Sequence, residues 1–495
     1  MKILRNSILF LFALCGAGVQ AQSVLRLDLK ETITMANDSS LSAFRYQNMY
    51  LSGYWEYRSY KAARLPSLTL NMTPAQYYRY ITRRYDSQQD IDVYREQQML
   101  SAGAGLNLAQ NFDLLGGTFY VDTQLDYMCN FGDTKSNQFS TVPFRIGYQQ
   151  NLLGFNAFRW DRKIEPLKFD KVKKQYLYHA ESVSEEAVNY FFALAMAQAE
   201  YKLALDNMTT ADTLYAIGEQ RQKIASISRA DLLTLKLDRV NARNTLKNAE
   251  IARKRAMSAL ATFLNLDRNS YIEVDLPSRP RYIDIPADRA IALARENNPT
   301  YLEQRQNVLE AEREVDRTKK ESRFNASLNA SVGFNQVADN INAAYSNLLQ
   351  QDLVSLTVSV PLIDWGVRKG KYNMARNNLN VVKIAARQEE ISLEEDVMMT
   401  VSDFSVQQDM IASAEEALDL AELAYDQTRR RFIIGKADIN SLTLALNRQQ
   451  EAQKNYIQAM QNYWLSYYKI RKLTLHDFES GISLSDRFDF DNLLR

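Results

Sequence analysis

The feature that most restricts the fold is an internal duplication. Leu25-Arg26-Leu27 followed by Ile33-Thr34-Met35-Ala36-Asn37-Asp38 returns as Ile283-Asp284-Ile285 followed by Ile291-Ala292-Leu293-Ala294-Arg295-Glu296. Ser184-Glu185-Glu186-Ala187-Val188 returns as Leu393-Glu394-Glu395-Asp396-Val397. Leu233-Thr234-Leu235-Lys236-Leu237-Asp238-Arg239 returns as Leu442-Thr443-Leu444-Ala445-Leu446-Asn447-Arg448, in the same order. A chain with such self-similarity is two copies of one structural plan. The expected division is a signal peptide at 1–21, a first repeat at 22–268, a linker at 269–286, a second repeat at 287–473 and a tail at 474–495.

Each copy reads as a shorter helix, a strand region, a very long helix, a tight turn and another shorter helix. The first copy is predicted at Leu29 to Ala63, Ser67 to Gln149, Asp161 to Lys223 and Arg229 to Phe263. The second runs Ala287 to Arg323, Phe324 to Val360, Gly366 to Phe432 and Ala437 to Leu473. The long helix spans about 100 Å at 1.5 Å per residue, and two short ones end to end match it. In the last helix Leu442, Gln449, Tyr456, Tyr463 and Ile470 repeat every seven residues beside Ala445, Ala452, Ala459, Ser466 and Leu473. That spacing suits a coiled coil, and equally the core of an ordinary helical bundle.

Between the helices the period changes to two. Phe324, Ala326, Leu328, Ala330, Val332 and Phe334 alternate with polar residues, as do Val354, Leu356, Val358 and Val360. Runs of this length cross an outer membrane when tilted. The first copy holds a longer segment, in which Ala102 to Leu108 and Phe119 to Tyr127 alternate around a turn at Leu115-Gly116-Gly117. That hairpin either adds strands to the wall or forms an external elaboration. Tyr77, Tyr78, Tyr80, Tyr148, Phe155, Phe158 and Trp160 suit an interfacial belt or an ordinary sheet core. Two strands per copy are too few to close a barrel, so oligomerisation is required; three chains of four strands make twelve.

Composition narrows the function. Lys2, Arg5, the apolar run Ile8 to Leu14 and Val19-Gln20-Ala21 read as a secretory signal; acylation at Cys15 is disfavoured by the preceding Leu14. After the signal only Cys129 remains, so no intramolecular disulfide forms. The formal net charge is +1 without a basic patch, which argues against nucleic acid. His179 and His476 stand far apart, outside any metal-ligand spacing, and read as solvated or satisfied histidines. No phosphate loop, nucleophile elbow or dinucleotide fingerprint is present. The chain is thus expected to have no catalytic residue, cofactor or metal.

The junctions Leu65-Pro66-Ser67-Leu68-Thr69-Leu70 and Val360-Pro361-Leu362-Ile363-Asp364-Trp365-Gly366 resemble those of the TolC-type outer-membrane efflux family (outer membrane factors) over essentially the whole mature chain. So do the turns Ile224-Ala225-Ser226-Ile227-Ser228-Arg229-Ala230-Asp231 and Phe432-Ile433-Ile434-Gly435-Lys436-Ala437-Asp438-Ile439. Pro361 ends strand pairing, and Asp364 before Trp365 and Gly366 suits a helix start. The resemblance implies an α+β membrane protein: a homotrimeric transmembrane β-barrel continuous with a long periplasmic α-helical coiled-coil barrel, with the linker in an equatorial region. It also implies outer-membrane lipid as surroundings, a periplasmic adaptor (membrane fusion protein) docked at the helical tips, and an inner-membrane RND or ABC pump. The tip residues are then Ala225, Ser226, Ile227, Ser228, Asp231, Gly435, Lys436, Asp438, Asn440 and Ser441. Asp231 falls at the family's acidic gating position, but its expected arginine partner is Ala437, with Lys436 beside it. Ser441 and Leu444 stand nearest the acidic constriction positions, so a polar ring has to come from Asp438 or Asn440. Alternatively, Asp231 and Asp438 only cap helices. The rival to a channel is a secreted or periplasmic coiled-coil scaffold, which has no need of membrane-length strands.

Overall fold

The computed structural model describes residues 24–113, 115–131, 135–152, 154–224, 227–434, 436–490 and 493. The signal segment, Cys15 included, lies outside them. In chain order the elements are β1 (Leu25–Leu27), α1 (Leu29–Ser39), α2 (Leu41–Ala62), β2 (Ser67–Asp86), β3 (Ile91–Phe112), β4 (Gly117–Asn130), β5 (Ser136–Asn151), α3 (Ala157–Lys223) and α4 (Arg229–Phe263). They continue with β6 (Ile272–Val274), α5 (Ala287–Asn297), α6 (Pro299–Glu321), β7 (Asn325–Ala338), α7 (Ile341–Ala344), β8 (Leu349–Ser359), α8 (Val367–Ile433), α9 (Ile439–Thr474), β9 (His476–Asp477), β10 (Ile482–Ser483) and α10 (Leu484–Arg487).

Two expected helices are broken where the sequence reading runs through. At Ser40 the backbone turns extended (ψ 150°), and the Ser40 hydroxyl accepts the Ala43 N–H at 3.1 Å, so α2 starts with its own cap. At Asn298 the chain is again extended (ψ 129°), as the following Pro299 demands. Asn298 also donates to the Leu473 carbonyl at 2.9 Å, which pins the break to α9.

The chain divides into two compact units. The first, helical unit takes residues up to 51, 174–299 and 392 onward. Within it, α3 and α4 form an antiparallel pair, with Tyr190 stacked on Phe263 (4.6 Å) and Asp212 bridged to Arg239 (2.6 Å). The α8–α9 pair repeats that plan through Lys469–Asp396 (2.9 Å) and Phe404–Tyr463 (5.1 Å). The duplication thus builds two helical hairpins. Their core gathers Phe191, Phe192 and Leu194 of α3, Leu260 of α4, Phe404 and Ile411 of α8, and Tyr463 and Tyr467 of α9. The short helices α1 and α5 close it with Ile33, Ala36, Ala290 and Ala294, and β1 pairs in parallel with β6. The heptad residues Leu442, Tyr463, Ile470, Ala459 and Leu473 are buried. Burial of several apolar side chains at about 1.5–3 kcal/mol each is what holds helices of this length together.

The second unit, 52–173 and 300–391, carries one antiparallel sheet of order β2-β3-β4-β5-β7-β8. The hairpin left open between wall and elaboration pairs into this sheet, as β3 and β4. The two repeats meet where β5 pairs with β7 (Ile146 opposite Val332). Trp160, expected in either a belt or a sheet core, donates to Asp316 at 2.9 Å and ties α3 to α6.

Candidate functional site

Both helical hairpins end in short, capped turns. In the first, Ser228 is the N-cap of α4. Its hydroxyl accepts the Asp231 N–H at 3.1 Å, while the Asp231 carboxylate accepts the Ser228 N–H at 3.1 Å and hydroxyl at 2.8 Å. This reciprocal box satisfies two of the donors that a helix start leaves open. Ile227 is half-buried; Ala225 and Ser226 lie outside the described residues. In the second turn Asp438 is the N-cap, accepting the Ser441 N–H at 2.7 Å. Hydrogen bonds from the Ser441 side chain and backbone hold the Asp438 carboxyl below its ordinary range. Lys436 and Asn440 are exposed, the Lys436 N–H donates to the Arg431 carbonyl at 2.8 Å, and Gly435 lies outside the described residues.

Asp231 therefore engages its own turn. Among the described residues, one hydrogen bond that links the two turns comes from Arg221, in the last turn of α3. Its guanidinium donates to the Ile433 carbonyl at 3.0 Å and sits 5.9 Å from the Phe432 ring. Sequence reasoning missed it, because a cation in a final helical turn is the ordinary complement to the helix dipole; Lys223, Arg430 and Arg431 look the same. Close packing supports the first tip: a Cβ added at Gly218 would lie 2.6 Å from Leu235.

At the other end of α8, Asp364 accepts the Gly366 N–H at 3.0 Å and the Arg368 N–H at 3.2 Å, which holds its carboxyl below the usual range. Trp365 and Gly366 both take left-handed backbone (φ 55° and 87°), a turn that glycine adopts freely and tryptophan does not. Pro361 is half-buried. Leu362, Ile363 and Trp365 are exposed, Trp365 at 94%.

The sheet has one apolar and one polar face. A ladder row runs Leu68–Leu108–Val121–Ile146–Val332–Asp352 across all six strands. The row one step along runs Thr69–Asn107–Asp122–Arg145–Gly333–Gln351 on the opposite face. There Arg145 grips Asp122 through two hydrogen bonds of 2.9 and 2.6 Å. The apolar face ends abruptly: Phe334 gives way to Gln336 on β7, Val354 to Asp352 on β8, and Leu100 to Gln98 and Glu96 on β3. Beyond that limit the β2–β3 hairpin carries the ion pairs Arg79–Glu96 and Arg83–Asp92. On β3 and β7 a band of about nine residues, apolar on one side and ending at one edge in polar or charged residues, has the dimensions of a membrane-crossing wall.

Among the described residues no cluster of His, Cys, Asp and Glu suits a metal ion. His179 stacks on Tyr46 at 4.1 Å. His476 departs from the expectation: it is 6% exposed with neither ring nitrogen hydrogen-bonded. Among the described residues no helix is long and apolar enough to cross a membrane.

Residues 290–474 match the outer membrane efflux protein family model. No curated protein matches the sequence. Among solved structures, the Campylobacter jejuni CmeC outer membrane channel is similar at 14% identity, TM-score 0.64, over 94% of this chain and 90% of that one. The outer-membrane channel OprN is similar at 15% identity, TM-score 0.64, over 90% and 89%. The Vibrio cholerae outer membrane protein VceC is similar at 15% identity, TM-score 0.62, over 91% and 95%. With long capped helical hairpins and a two-faced sheet of membrane-crossing depth, the chain has the fold of these outer-membrane channels, and its residues 290–474 match the outer membrane efflux protein model.

Proposed function

We propose that this protein is the passive exit duct of a tripartite efflux or secretion system in the outer membrane of a Gram-negative bacterium. Three copies close the barrel, the helical turns face the periplasm, and a periplasmic adaptor docked there connects the duct to an inner-membrane RND or ABC pump. The observation that carries the reading is the sheet. Its apolar face has membrane depth, and β2 and β8 end the sheet without a further strand among the described residues. Hydrocarbon leaves no water to satisfy such edges, so the wall has to close with other copies. A secreted scaffold gains nothing from an apolar band on the outside of a sheet.

Purified mature protein should have the mass of three copies in detergent and give discrete conductance steps in planar bilayers. A water-soluble single copy that never conducts would overturn the proposal.

On this reading the helical turns are the gate, with Ala225, Ser226, Ile227, Ser228, Asp231, Gly435, Lys436, Asp438, Asn440 and Ser441 around it. Arg221 ties one turn to the other in each copy. A hydrogen bond of this kind contributes about 1 kcal/mol at a half-exposed site, or about fivefold in the closed-to-open ratio per copy. Arg221→Ala is expected to raise the open probability in single-channel records, with an unchanged amount of assembled protein. Equal open probability would remove Arg221 from the gate.

A further inference from the structure

The number of strands in the wall follows from the sheet. Repeat symmetry alone provides four strands per chain, two from each copy, with the additional hairpin unplaced. In the structure that hairpin is β3 and β4, seated between β2 and β5 with ladders on both sides, each interrupted by one register shift: Leu106 lies opposite both Leu70 and Thr123, and Val121 opposite both Leu108 and Ile146. Its side chains keep the register of the wall. Even-numbered residues from Leu100 to Leu108 and odd-numbered residues from Phe119 to Tyr127 lie on the apolar face, and both runs are as deep as Ala326 to Phe334 on β7. A decoration outside the membrane has no need of that band.

We propose that the assembled barrel has six strands from each copy, eighteen in all, and that the β2 edge of one copy pairs with the β8 edge of the next. The proposal rests on the three-copy reading above. Six strands fall short of the smallest closed membrane barrel, of eight, so a single chain cannot close alone.

The stagger of the sheet fits closure. Leu68 is the second residue of β2, whereas Asp352 in the same row lies seven residues before Ser359, the last of β8. Strands displaced progressively in this way are tilted against a barrel axis, as closure requires. The hairpin adds an even number of strands, so the chain still leaves the sheet on the side where α3 begins. Leu362, Ile363 and Trp365 stand exposed directly after β8, at the edge where the neighbouring copy is placed. Barrel diameter grows roughly linearly with strand number, so eighteen strands give a lumen about one and a half times as wide as twelve, within the range that leaves an aqueous channel. The polar face, with the Asp122–Arg145 pair, lines it.

Single cysteines in a Cys129→Ser background test the placement. In liposomes, Asn107→Cys and Gln124→Cys should react with a membrane-impermeant maleimide, because they face the lumen. Leu106→Cys and Val121→Cys should be blocked only by a lipid-soluble maleimide. If all four react with the aqueous reagent, the hairpin lies outside the membrane and the eighteen-strand wall is wrong. Thr69→Cys combined with Thr357→Cys, bridged by a short bismaleimide, should give denaturing-gel bands up to three copies. Bridging only within single chains would overturn the β2–β8 pairing. A single-copy mass in detergent would instead sink the three-copy reading, so the two failures are distinct.

Discussion

Leu356→Arg is expected to abolish the assembled channel, while Thr357→Arg, one residue along the same strand, leaves assembly intact. Leu356 lies on the apolar face opposite Leu328 and is 59% exposed; Thr357 lies on the polar face opposite Ser327. If the apolar face meets lipid, as proposed, an arginine near the middle of its band costs about 2–4 kcal/mol. With three copies the charge enters the membrane three times, which is comparable to the whole stability of a domain at about 5–15 kcal/mol. On the lumen side the same guanidinium remains in water. The measurement is the amount of three-copy species resistant to unheated detergent gels, together with conductance. Equal behaviour of the two variants would show that the sheet faces are not lipid and lumen.

The second large effect belongs to the helical unit. Arg471 of α9 donates to Glu181 of α3 at 2.9 Å, lies 3.7 Å from Asp477 and sits over the Tyr468 ring at 5.0 Å. Glu181 is 7% exposed, and one of its oxygens has no partner even with Arg471 present. Arg471→Met therefore leaves a carboxylate buried and unpaired, a change that costs about 3–5 kcal/mol. At roughly 2–4 °C per kcal/mol, Tm should fall by about 10 °C. Adding Glu181→Leu should recover most of that loss, since an apolar replacement of both charges is close to neutral.

The deficit should also depend on pH. Burial already holds the Glu181 carboxyl above its ordinary range, against the charge and hydrogen bond of Arg471. Without Arg471 the ionised form is penalised further. A carboxyl raised in the folded state destabilises at neutral pH, and the penalty fades as pH falls through the folded value toward the unfolded one. The Tm gap between Arg471→Met and the unsubstituted protein should thus narrow on acidification. Asp477 has the opposite sign. Burial pushes its carboxyl up, but the Tyr467 hydroxyl at 2.6 Å and the Arg471 charge outweigh this and hold it below the usual range. Its contribution is present above the unfolded carboxyl range and is lost as pH falls through the folded value. A gap that widens in acid would remove Glu181 as the source.

Much of this architecture is legible in local sequence. The duplication, the change of period from helix to strand, and α4 at Arg229–Phe263 all follow from side-chain spacing along one segment. The capped turns follow in the same way: Ser228 with Asp231 is a box written in four residues. The break at Asn298 also has a local cause, since Pro299 restricts the residue before it, yet the helix expected from Ala287 to Arg323 runs through it. The break at Ser40 was missed, although serine is a good cap, because apolar spacing continues through it.

Sequence by itself determined which residues share a helix face or a strand face, since periods of 3.6 and 2 are properties of the backbone within a segment. Only the tertiary structure decided which strand lies beside which. An alternating segment pairs equally well, to first order, with any other alternating segment, so nothing within Ala102–Tyr127 distinguishes a place in the wall from a hairpin outside it. The pairing of β5 with β7 joins residues such as Ile146 and Val332 across the whole intervening helical hairpin. The link from Arg221 to the Ile433 carbonyl and the burial of Glu181 beside Arg471 are likewise contacts between distant segments. Such contacts depend on where packing brings two surfaces together, a quantity that no spacing along one segment encodes.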